Sequence, residues 1–75
     1  MGCAESVETK LQRFLLKGNE ALEQDNTQQA LVYYAEALKL DSCFADALNN
    51  SGTAHYKQHH FDEALLFYSR AIDCK

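Results

Sequence analysis

Ala30-Leu31-Val32-Tyr33-Tyr34-Ala35-Glu36-Ala37 returns 34 residues later as Ala64-Leu65-Leu66-Phe67-Tyr68-Ser69-Arg70-Ala71. Within each stretch Ala, Tyr and Ala fall at i, i+4 and i+7, one stripe of a helix. Small residues in such a stripe let a neighbouring helix approach closely, and the aromatic fills the space beside them. The same shift pairs Gly18 with Gly52 and Gln24 with Gln58 as identities, and Phe14/Leu48, Tyr33/Phe67 and Leu38/Ile72 as near-equivalents. A glycine inside a helix costs roughly 1 kcal/mol against alanine. Its return at the same place in both copies predicts a packing reason: a bulky side chain lands on bare backbone there.

Each copy therefore reads as two antiparallel helices. The periodicity predicts a first helix over about residues 7–24, with Ser6 as its N-cap, and a second over 27–40. Asp25-Asn26 makes the turn between them. Asp41-Ser42 breaks the chain with turn chemistry, and helices over about 44–58 and 61–74 follow, joined at His59-His60. The expected architecture is all-α: two tandem hairpins, residues 11–44 and 45–75, behind a lead-in segment of residues 1–10.

Composition agrees. Of the 75 residues 47% are apolar, a globular value, and proline is absent with only three glycines, too few for the tight turns of an all-β chain. Seven Lys and Arg against eleven Asp and Glu leave a formal charge of −4, which argues against nucleic acid as a partner. Cys3, Cys43 and Cys74 are an odd number with no close pair in sequence. That reads as neither a disulfide framework nor a zinc site, and it points to a reducing, cytoplasmic setting. No stretch approaches the ~20 apolar residues of a membrane-crossing helix.

The period and the pattern Leu48, Gly52, Tyr56, Phe61, Ala64, Tyr68, Ala71 resemble the tetratricopeptide repeat. Phe14, Gly18, Leu22, Ala30, Tyr34 and Ala37 show the same pattern in the first copy. Two positions depart from it: Ser42 stands where the family usually has proline, and His59 where the hairpin turn usually has glycine. Ser favours turns, and His tolerates positive φ better than most residues. The resemblance implies a right-handed superhelix whose odd-numbered helices line a concave groove that holds extended peptides or partner helices. Carried over by position, that groove takes Gln12, Leu15, Leu16, Asn19, Leu22 and Glu23 from the first helix. From the third it takes Asp46, Asn49, Asn50, Thr53, Tyr56 and Lys57. One subfamily clamps the C-terminal carboxylate of heat-shock chaperones. Asn19 and Asn50 stand at its two asparagine positions, but Leu15 replaces its first lysine and the cations of a third repeat are missing. A carboxylate needs charge-assisted donors to offset its desolvation, which two amides do not supply. Asn19 and Asn50 are expected to bond a ligand's backbone or to face water.

Other candidate chemistry is thin. His55 and His59 are four apart and can share a helix face, yet no third ligand of suitable type lies near except Asp62 and Glu63; a packed His55 and two solvated turn histidines are expected, with no metal. No nucleophile–base–acid constellation and no phosphate loop occurs, so neither catalysis nor a cofactor is expected. Met1-Gly2-Cys3-Ala4-Glu5-Ser6 fits the N-myristoylation pattern, with Cys3 placed for a second acyl chain. Membrane contact is expected only through such acylation at Gly2 and Cys3, since a single myristoyl chain binds with an association constant of only ~10⁴ M⁻¹.

A domain of this length buries only ~60% of its unfolded surface, and repeats of this kind bury their faces against neighbours. Leu65, Tyr68 and Ile72 are expected to stand uncovered on the last helix. A longer repeat array or a homodimer through that face would cover them. The functional expectation is a protein-binding module; the alternative is a self-assembling unit tethered by lipid.

Overall fold

A computed structural model of the chain describes residues 5–74. The acylation motif at Gly2 and Cys3 lies outside them. Ser6 opens the first helix as expected: its Oγ accepts from the Thr9 backbone N–H at 3.1 Å. Helix α1 runs Val7–Glu23, α2 Thr27–Leu40, α3 Ala45–Lys57 and α4 Phe61–Asp73. The expected bounds differ from these by no more than one residue at any end. None of these helices is long and apolar enough to cross a membrane.

Both hairpins turn by one device. After α1, Asn26 N–H bonds back to Ala21 C=O at 2.8 Å and Asp25 N–H to Leu22 C=O at 3.1 Å. After α3, His60 bonds to His55 and His59 to Tyr56 in the same way, at 2.9 Å each. This paired pattern satisfies the last helical carbonyls and requires a left-handed residue just past the cap. Asp25 (φ 61°) and His59 (φ 64°) supply it. A Cβ there is strained by roughly 1–2 kcal/mol. His59→Gly should therefore stabilise the fold by about 0.5–1 kcal/mol after the extra freedom of unfolded glycine is subtracted. In a thermal melt that is a rise of a few degrees; a fall would show that the imidazole contributes more than the strain costs.

The glycines answer the packing question. A Cβ on Gly18 would stand 2.5 Å from Tyr34 Cε1, and one on Gly52 would stand 2.7 Å from Tyr68 Cε1. Each hairpin thus closes with a tyrosine ring packed against bare helix backbone. Tyr34 is fully buried and has nowhere to go, whereas Tyr68 is half-buried and can swing outward. Ala30, Tyr34 and Ala37 of α2 join Leu11 and Ala21 of α1 and Ala47 of α3 in one core, with Phe14, Leu15, Leu22, Leu38 and Phe44 packed around it.

The cysteine reading needs correcting. Cys43, just before α3, and Cys74, just after α4, are joined by a disulfide, with 5.3 Å between their Cα atoms. Distance along the chain misled here: α3 and α4 have 13 residues each, so an antiparallel hairpin returns its end to its beginning. The bond closes the second hairpin opposite its turn, and the cysteines no longer argue for a reducing compartment.

Candidate functional site

The floor of the concave side is a small polar network. Asn19 Oδ1 accepts from the Tyr34 hydroxyl at 2.6 Å and from Asn50 Nδ2 at 2.8 Å. Two donors converging on one atom fix the orientation of the Asn19 amide, since its nitrogen side could accept neither. Asn50 and Asn19 therefore bond each other across the two repeats. They do not simply face water, which corrects one of the two expectations for them. The reason lies in packing: α3 settles on α1 and α2 so that the residue 31 positions after Asn19, not 34, meets it. Burial raises the pKa of the Tyr34 phenol above 10.0, an effect partly countered by the Asn50 amide, which favours the phenolate.

Around this floor Asn19, Leu22 and Glu23 of α1 and Asn50, Thr53 and Lys57 of α3 enclose an open hollow of about 390 Å³. Asn19 Nδ2 and Asn50 Oδ1 make no bond among the described residues and are available to a ligand. Thr53 Oγ donates to Asn49 C=O at 3.2 Å, so the Tyr68 hydroxyl, 2.9 Å away, donates to Thr53. Glu23 and Lys57 set opposite charges on the two walls. Lys57 Nζ lies 3.9 Å from Asp25; both side chains are well exposed, so the pair is worth little.

Six of the twelve positions expected in the groove line this hollow. Of the other six, Gln12 and Leu16 are exposed on α1, and Asp46 and Asn49 on α3, outside it. Leu15 packs into the core instead. Tyr56 leans onto Phe61 of α4, edge to face with centroids 5.1 Å apart, and borders a different, apolar hollow of about 170 Å³ with Ala64, Leu65 and Tyr68. Helical spacing places a residue on a face only to within its side chain's reach, and Leu15 and Tyr56 stand at the margins where a neighbouring helix claims them. Of the histidines, His55 is half-buried and stacked on Phe67 at 5.3 Å, while His59 and His60 are exposed. Among the described residues no three His, Cys, Asp or Glu are grouped to hold a metal.

One feature of the site's surroundings was missed in sequence. Arg13, Lys17 and Glu20 stand 34 residues before Ala47, Ser51 and Ala54. The first three are exposed and the second three buried. Comparing the copies for differences, rather than likenesses, would have revealed that α1 ends the stack with a polar face.

Stacked antiparallel hairpins with a concave polar groove define a short helical-repeat protein. Residues 45–75 match the family model for the tetratricopeptide repeat. That match supports assigning the chain to the tetratricopeptide repeat family, whose repeats generally mediate protein–protein interactions. No curated protein matches it.

Proposed function

We propose that this chain binds an extended segment of a partner protein in the groove between α1 and α3, and catalyses nothing. The observation that carries this reading is the Asn19–Asn50 pair: two amides locked to each other on rigid helices, with one donor group and one acceptor still open to the hollow. A peptide unit needs that complement, its C=O accepting from Asn19 Nδ2 and its N–H donating to Asn50 Oδ1. Because the amides are already held, little ordering is lost on binding. Leu22 offers an apolar wall for a side chain, and Glu23 and Lys57 set the polarity of what lies beside it. No cation stands at the Leu15 position, so a free carboxylate has no strong reason to be preferred.

Peptides selected from a random display library on the 75-residue chain provide the ligand for a test. Asn50→Ala removes one ligand bond and loosens Asn19, at about 0.5–1.5 kcal/mol for each hydrogen bond. Calorimetric titration should show about a tenfold or greater rise in Kd, with the helical circular dichroism retained. An unchanged Kd would remove the groove from the account.

A further inference from the structure

The two hairpins are held in different ways. Helix α2 packs between α1 and α3, and its Ala30, Tyr34 and Ala37 are sealed from solvent. Among the described residues α4 packs against α3 alone, with Ala64 its one buried residue and with Leu65 and Ile72 exposed at 66% and 70%. The Cys43–Cys74 bond stands where packing is thin. It ties the end of α4 to the start of α3, while the turn at His59-His60 ties the other end. The first hairpin has Thr9 and Leu40 at the corresponding positions and is held by packing instead.

Helix α4 in turn supports the α3 wall of the groove. The Tyr68 ring packs on Gly52, and its hydroxyl donates to Thr53, which lines the hollow with Asn50 and Lys57 of the same helix. A 13-residue helix with a glycine inside it is marginal in water unless other elements pack on it. Without α4, Gly52 is bare, Thr53 loses a partner and α3 keeps its packing on one side only.

We propose that the Cys43–Cys74 pair is a redox switch on the groove: a dithiol opens the bond, α4 detaches from α3, and the hollow loses affinity for its peptide. The switch rests on the groove being the binding site. Cys43 is the exposed member of the pair, so an attacking thiolate meets its sulfur first. That attack forms a mixed disulfide and releases Cys74 as a thiolate. The second sulfur of the dithiol, also as a thiolate, then attacks the first, closes the dithiol's own disulfide and releases Cys43. Two electrons pass to the cysteines, whose thiolates take up the two protons that the dithiol gave up. A small disulfide such as oxidised glutathione reverses the exchange.

The test uses the 75-residue chain, dithiothreitol as the dithiol, and a library-selected peptide as the ligand. Hydrogen exchange of the free chain and calorimetric Kd are measured before and after reduction. On reduction, the α4 amides should exchange at least tenfold faster than before, with a smaller change in α1 and α2. Kd should rise at least tenfold, and oxidised glutathione should restore both. The Cys43→Ser/Cys74→Ser chain should bind as weakly as the reduced chain, with or without dithiothreitol. Equal Kd for the oxidised and reduced chains, or exchange that speeds equally in all four helices, overturns the switch. An oxidised chain that binds no peptide is a different result: it removes the groove reading and the switch with it.

Discussion

Tyr34→Ala should remove a large share of the chain's stability. The ring is sealed from solvent, lies on Gly18, and holds Asn19 through its hydroxyl. Truncating a buried aromatic costs about 3–5 kcal/mol, and a 75-residue domain has roughly 4–11 kcal/mol in all. The loss spreads beyond one hairpin, because Tyr34 shares its core with Ala47 of α3. Urea unfolding followed by circular dichroism measures it. Tyr34→Phe separates ring from hydroxyl and should cost only about 0.5–1.5 kcal/mol. It should also change the alkaline limb. The folded phenol has its pKa above 10.0, so the folded state holds the proton more tightly than the unfolded state. Stability from this source is full below pH 10 and is lost as pH rises through the folded pKa. Tyr34→Phe should flatten that limb. Tyr68→Ala should be milder than Tyr34→Ala, since its ring is already half-open to solvent; equal losses would mean that cover by α3 contributes little.

Reduction of Cys43–Cys74 should have the next largest effect. The bond spans 31 residues of chain, and closing a loop of that size contributes about 3–4 kcal/mol in the chain-entropy description. The second hairpin has only Ala64 fully buried on α4, so it has little else to hold its open end. Adding a reductant should lower the urea midpoint substantially, and Cys43→Ser should reproduce the shift without leaving a cavity, because Cys43 is exposed. An oxidised and a reduced sample with one midpoint would show that α4 stays in place by packing alone.

What the sequence made legible was whatever repeats. The 34-residue shift located the four helices, both turns and a bulky side chain over each helix glycine, because each is a local or within-hairpin consequence of residue type; that the side chains are Tyr34 and Tyr68 came from the packing. His59 could be read as a turn residue for the same reason. What it hid depends on the rotation and spacing between elements. The Asn19–Asn50 bond follows from how far α3 slides along α1, which no period states. Cys43 and Cys74 meet only because two helices have equal lengths. Leu15 and Tyr56 share the stripe of the groove residues but stand where neighbouring helices draw them away. Half of the candidate groove residues line the hollow, and what kept the other half from it was geometry, not chemistry. The polar end of α1 was legible and unread: Arg13, Lys17 and Glu20 are informative only beside Ala47, Ser51 and Ala54.

On the proposed function, a partner's chain binds in the hollow between α1 and α3. Backbone amide shifts of the isotopically labelled chain, recorded while a library-selected peptide is titrated in, test it most directly. The largest changes should fall on Asn19, Leu22, Glu23, Asn50, Thr53 and Lys57, with the side-chain amides of the two asparagines among them. Changes gathered instead on α4, around Leu65 and Ile72, or on the outer surface of α2, would contradict it.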